Sequence, residues 1–129
     1  MTSASLTGRC ILLIEDEPLI AFAIQQELQD EGAKVQTART LASASQLLRE
    51  ELSAAIVDFA LSDGNAGEIC AILETRGIPF IVHSGYTPCR DVHGAAAVIA
   101  KPAQPGVLAA ALRGALLACA AAAAQEGAS

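Results

Sequence analysis

Short runs of consecutive apolar residues alternate along this chain with longer stretches in which apolar residues return every third or fourth position. Arg9-Cys10-Ile11-Leu12-Leu13-Ile14 is the first such strand, and Glu15-Asp16-Glu17 closes it. Pro18 then suits a first helical turn, where its missing N–H costs nothing. Ile20, Ala23, Ile24, Glu27 and Leu28 follow at helical spacing, so the predicted helix has one mostly apolar face, and Gly32 stops it. Lys34 to Ala38 alternates weakly and predicts a second strand. Leu41, Ala44, Leu48 and Leu52 mark a second helix, with Thr40 as its N-cap. Ala54-Ala55-Ile56-Val57 is a third strand, apolar throughout as in a buried parallel sheet, and it ends on Asp58.

A loop with Asp63, Gly64 and Asn65 leads to a third helix, with Ile69, Ile72 and Leu73 facing inward and Gly77 as its stop. Pro79 to Ser84 is a fourth strand, closed by Gly85, and Ala96 to Lys101 a fifth, closed by Pro102. Pro105 opens a last helix through Leu108, Leu112, Ala115, Leu116 and Cys119, which runs on into the Ala-rich stretch from Ala118 to Ala124. Strand and helix alternate five times, which predicts an α/β fold: a parallel sheet with helices on both faces.

Composition narrows the function more than the fold. A chain of 129 residues, 53% hydrophobic, suits one domain with a real core. Its formal net charge of -6 argues against a broad phosphate-binding surface and against nucleic acid as a partner. Cys10, Cys70, Cys89 and Cys119 are scattered with no CxxC pair, the pattern of reduced thiols in a cytoplasmic protein. Met1 to Gly8 lacks the apolar run of a signal peptide. Only the Ala-rich C-terminus reaches the apolar length of a membrane span, but it is broken by Arg113, so it reads as a soluble helix and no membrane is expected.

A parallel sheet gathers the C-terminal ends of its strands on one edge, where open α/β sheets place their chemistry. That edge here collects Glu15 and Asp16, Asp58, Ser84 and Lys101. Crowded carboxylates repel one another, and a hard divalent cation relieves the repulsion; oxygen donors with room for water suit Mg²⁺ better than zinc. With the lysine and the hydroxyl, the set forms a cradle for a phosphoryl group, with Asp58 as nucleophile. Asp63 reads as a loop residue, Glu17 as a helix-dipole partner, and His83 and His93 as core or surface residues with no metal role.

Glu15-Asp16, Asp58, Ser84 and Lys101-Pro102, in this order on these strands, resemble the receiver domain of two-component response regulators. The resemblance covers residues 9 to about 120 and leaves 121–129 as an Ala-rich C-terminal tail. It implies a flavodoxin-like, doubly wound, five-stranded parallel sheet of order 2-1-3-4-5. It implies a phosphoacceptor at Asp58, supplied by a sensor histidine kinase or phosphotransfer protein. Mg²⁺ would bind to Asp16, Asp58 and the backbone carbonyl of Ala60, with Glu15 acting through water. Ser84 would turn toward the phosphoryl oxygen, Lys101 would pair with it, and Tyr86 would border the path of the attacking water. The sequence departs from the family in its first acid, Glu15, in Val98 at a position usually aromatic, and in the short stretch from Ser84 to Lys101. That stretch predicts a shortened fourth helix around Thr87 to Val92.

The reading that follows is a stand-alone signalling module working through protein contacts, with no turnover on outside substrates. Aspartate-nucleophile phosphatases share the strand-end Asp, Mg²⁺, hydroxyl and lysine, but they carry a second acid two residues after the nucleophile, where this chain has Ala60. A dinucleotide-binding domain would need GxGxxG after the first strand, and it is absent. A pseudo-receiver independent of phosphorylation sits poorly with the intact Asp58 and Lys101. The last helix, with Ala109, Ala110, Arg113 and Leu117 on its expected outer side, is a candidate surface for a weak homodimer.

Overall fold

The computed structural model describes residues 6–61, 64–85, 94–101 and 103–128. In chain order the elements are β1 (Cys10–Ile14), α1 (Pro18–Asp30), β2 (Lys34–Ala38), α2 (Leu41–Leu47), β3 (Ala54–Val57), β4 (Ala60–Leu61), β5 (Gly64–Asn65), α3 (Gly67–Thr75), β6 (Phe80–Ser84), β7 (Ala97–Ala100) and α4 (Val107–Ala128). Five strands form one sheet in the order β2-β1-β3-β6-β7, and every neighbouring pair is parallel. Counted within that sheet the order is 2-1-3-4-5, the doubly wound, flavodoxin-like arrangement that the resemblance to receiver domains implies.

Local chemistry sets the element ends. At the end of α1, Gly32 takes φ +91°. Its N–H donates to the Gln29 carbonyl at 2.9 Å, while the Ala33 N–H reaches back to Leu28 at 3.1 Å. At the end of α3, Gly77 at φ +72° repeats the arrangement, with Ile78 N–H donating to Leu73. Both are left-handed caps that satisfy the last helical carbonyls and tuck an apolar residue back under the helix. Thr40 caps α2 as expected: its hydroxyl accepts from the Ser43 N–H at 3.1 Å, and the Ser43 hydroxyl accepts from the Thr40 N–H at 3.3 Å. The Arg76 guanidinium donates to the Leu48 and Glu50 carbonyls just past that helix.

Because strand side chains alternate, each strand serves two apolar layers. Under α1 and α4 lie Ile11, Leu13, Ile56 and Ile81 with Ile24, Leu28, Leu108 and Leu112. Under α2 and α3 lie Leu12, Ile14, Val57, Phe80 and Val82 with Ala44, Ile69 and Leu73.

Several expectations are corrected in detail. On α1, Ala21 is buried and Ala23 exposed. On α3, Cys70 turns inward and Ile72 outward. Leu52 lies beyond α2, which ends at Leu47. On α4, Ala109 is fully buried and Cys119 exposed, and Arg113 pairs with Glu31 rather than facing water alone. The stretch after Asp58 is a small antiparallel hairpin, with Ala60 opposite Asn65 and Leu61 opposite Gly64, rather than a plain loop. Tyr86, Pro102, Asp63, Cys89, His93 and the expected short helix around Thr87 to Val92 lie outside the described residues.

Candidate functional site

β1 and β3 are adjacent, and the Ile14–Val57 register brings their C-terminal ends level. The Asp58 N–H donates to the Ile14 carbonyl at 2.9 Å, which fixes Asp58 beside the Glu15-Asp16 pair. Glu15, Asp16 and Asp58 each offer a carboxylate oxygen, and these oxygens all lie within 4.8 Å of one another. Glu15 is 1% exposed and Asp58 5% exposed. β6 and β7 bring the remaining groups. Ser84 pairs with Ala100 in register, and the Lys101 N–H donates to the Ser84 carbonyl at 3.0 Å, so Lys101 leaves the sheet beside Ser84. Its ammonium then lies 2.9 Å from Asp58 Oδ2 and 3.0 Å from each oxygen of Glu15. Ser84 is itself buried.

Burial disfavours charge on Glu15 and raises its pKa above the usual 4.5. Hydrogen bonds from Lys101 and from the Glu17 N–H, the latter at 3.2 Å, oppose that rise, and the Asp58 charge adds to it. Burial also works against the charge on Lys101, but its bonds and its attraction to Asp58 and Glu15 outweigh burial and hold the pKa above 10.5. The lysine is therefore a fixed positive charge wedged between two buried acids. The third acid, Asp16, is half-exposed, and among the described residues it forms no ion pair with Lys101.

Of the residues expected at the strand ends, Glu15, Asp16, Asp58 and Lys101 converge, Ser84 stands at the next strand end, and the Ala60 backbone opens β4 just past Asp58. Glu17 does not cap α1 with its side chain; it supplies the backbone there, its carbonyl accepting from Ala21 at 2.9 Å. An exposed apolar pair was not anticipated: Leu19 is 86% exposed and Phe22 63% exposed on the first turns of α1. The signal was present in the sequence, since neither residue falls on the helix's inward stripe.

The chain matches the response regulator receiver domain family over residues 11–113. It belongs to that family. The fold agrees. A CheY-like receiver domain protein from Methanospirillum hungatei is 25% identical with a TM-score of 0.80, and the match covers 88% of this chain and 97% of that one. The signal receiver domain of an HD domain-containing protein from Pseudomonas fluorescens is 22% identical at TM-score 0.79, covering 88% and 98%. The response regulator TrrA from Thermotoga maritima, in complex with Mg²⁺ and BeF, is 20% identical at TM-score 0.74, covering 82% and 97%. No curated protein matches by sequence. Receiver domains bind Mg²⁺ at an acidic pocket, and the three clustered carboxylates of this receiver form an acidic pocket of all-oxygen donors. Among the described residues no helix is long and apolar enough to cross a membrane.

Proposed function

We propose that this receiver takes a phosphoryl group onto Asp58 from the phosphohistidine of a sensor kinase or phosphotransfer protein. The observation that carries the reading is the placement of Asp58: a buried strand-end carboxylate with Lys101 Nζ at 2.9 Å and two further acids alongside. An Asp58 oxygen attacks phosphorus, the P–N bond to the donor imidazole breaks, and its electron pair stays on the ring nitrogen. Lys101, now bridging Asp58 and Glu15, can turn its charge to the incoming phosphoryl oxygens, and the Ser84 hydroxyl can donate to them. Asp16 and Asp58, with the Ala60 carbonyl, would hold Mg²⁺, and Glu15 would reach it through water. The bound cation would supply charge neutralisation at the phosphoryl oxygens.

The exposed Leu19 and Phe22 stand on the first turns of α1, which begins just after Glu15 and Asp16 in the chain, and offer a protein donor an apolar foothold. Ala60, where a phosphatase would carry its second acid, supports a phosphoacceptor that signals through protein contacts rather than an enzyme acting on outside substrates. Incubation with acetyl phosphate and Mg²⁺ should add one phosphate by mass, and Asp58→Asn should abolish it. Phosphate retained on the variant would overturn the assignment. Catalytic release of phosphate from many equivalents of donor would favour the phosphatase reading.

A further inference from the structure

α4 has two apolar faces, and the sheet covers only one of them. Leu108, Ala109, Leu112, Ala115 and Leu116 are buried against the sheet. On the far side Val107, Ala110, Gly114, Leu117 and Ala121 are all exposed, Val107 by 39% and Leu117 by 56%. They are spaced by steps of three, four, three and four residues, the seam of a two-helix coiled coil. The seam holds no charge, and Arg113 beside it is paired with Glu31 of the same chain. Gly114 is the residue on it that the single chain does not explain. Glycine is a poorer helix former than the alanines around it. Its backbone is not among those at positive φ, and among the described residues nothing lies within 4 Å of where its Cβ would stand. A second backbone passing close to the outer face would require it.

The course of α4 supplies an independent observation. The helix starts at Val107, just past the acidic edge, and by Cys119 it has reached Gly77, ahead of β6; the thiol lies 3.8 Å from the Gly77 carbonyl. Every residue from Leu117 to Ala122 is exposed, and the helix runs on to Ala128. About half of α4 packs on the domain and half extends from it, and an extension of that length is marginal in water by itself. We propose that the outer face of α4 binds a second copy of this chain, as an antiparallel α4–α4 pair with Leu117 on the two-fold axis. In that register Gly114 of each copy faces Ala121 of the other, and residues 121–128 of each lie along 107–114 of the other. The half that extends from one domain covers the half left open on the other, a match of lengths that a second copy supplies. Glycine opposite alanine lets the backbones close to the short end of the ~8–10 Å range of packed helices. The pairing sends the two acidic edges to opposite ends of the dimer, where each stays open to a phosphoryl donor. A single helix pair falls at or below the roughly 1,200 Å² of the smallest specific interfaces, so the dimer is reversible and forms at high protein concentration. None of this depends on the role assigned to Asp58.

Sedimentation equilibrium of the full chain tests the pairing. We expect a mass that rises with concentration and levels at two chains. Leu117→Glu puts like charges on the axis and should weaken association about a hundredfold. Gly114→Leu forces the backbones apart and should weaken it about tenfold. Both positions are exposed in the single chain, so both variants should give the parent's circular dichroism. Disulfide formation in a Cys119→Ser background reads the direction: Gly114→Cys mixed with Ala121→Cys should cross-link, and Gly114→Cys alone should not. A chain that stays monomeric at millimolar concentration would overturn the proposal. So would a mass beyond two chains, association unchanged in Leu117→Glu or Gly114→Leu, or Gly114→Cys linking to itself as readily as to Ala121→Cys.

Discussion

Residues 80 to 83 of β6 show two ways of covering one strand. Toward α2 and α3 the strand presents Phe80 and Val82, both fully buried among leucines, isoleucines and valines. Toward α1 and α4 it presents Ile81 and then His83, and the helices above contribute Ala21, Ala109 and Ala115 as well as leucines. Large strand residues with Ile69 and Leu73, and the small Ala44 and Ala66, fill the first face. On the second, small helical residues and a strand-end imidazole border a cavity. The two faces meet at the acidic edge, where Ser84 follows His83. The difference teaches that a sheet edge built for chemistry need not be backed by equal packing on both sides: one face can supply stability while the other keeps room.

The comparison can be broken most directly at Phe80. Phe80→Ala should cost about 3–5 kcal/mol by urea unfolding, because a fully buried ring is lost from a filled layer. His83→Ala should cost far less, since it enlarges a space that already exists. Equal losses would mean that the two faces do not differ.

Next in size is the edge itself. Lys101→Met leaves Glu15 and Asp58 buried side by side without their shared cation, and should cost about 3 kcal/mol at neutral pH. Added Mg²⁺ should return part of that stability by binding the folded state alone. A variant as stable as the parent, or one indifferent to Mg²⁺, would remove the lysine from its bridging place.

A smaller effect sharpens the second face. His83 has a folded pKa below its unfolded value of 6.5, so the unfolded chain binds the proton more readily. Its contribution to stability is present above the unfolded value and is lost as pH falls from there through the folded value. Glu15 runs the other way: with its pKa raised above 4.5, it contributes stability below that value and loses it as pH rises through the folded one. Subtracting the stability profile of His83→Phe from that of the parent isolates the histidine. The variant should lack the loss that begins below about pH 6.5 and should gain about 1 kcal/mol at pH 7 from removal of an unpartnered buried polar group. A variant profile that keeps the same acid limb would show that His83 is not the buried neutral group described.

The smallest effect involves no stability at all. Cys70, in the layer under α3, is buried, and its thiol is pushed up to about 11, whereas Cys119 on α4 is exposed. Peptide mapping after maleimide treatment should find Cys119 modified in the folded protein and Cys70 only after unfolding. Early labelling of Cys70 would mean that the filled face opens readily.

Much of this was legible in the chain. β1, β3 and β6 follow from short apolar runs, β2 from weak alternation, and the ends of α1 and α3 from Gly32 and Gly77, because these signals act through local backbone geometry. The acidic edge was legible too, since parallel strands send Glu15, Asp58 and Lys101 to the same side whatever the packing details. Rotation of the helices was not. Successive residues on a helix lie about 100° apart, so a stripe that is mostly alanine admits neighbouring solutions. That is why Ala21 rather than Ala23, Cys70 rather than Ile72, and Ala109 rather than Cys119 lie inside.

The sequence alone therefore determined the order of the five sheet strands along the chain, their parallel pairing and the set of residues at the sheet edge. Those depend on periodicity, turn chemistry and connection rules that operate within a few residues or between successive elements. Tertiary structure alone decided that Lys101 bridges Glu15, 86 residues away, as well as Asp58. It also left the His83 nitrogens without partners, above a cavity whose walls come from α1 and the approach to α4. These outcomes depend on side chains meeting across the fold at hydrogen-bonding distances. No local pattern encodes a contact whose two halves are set by different elements.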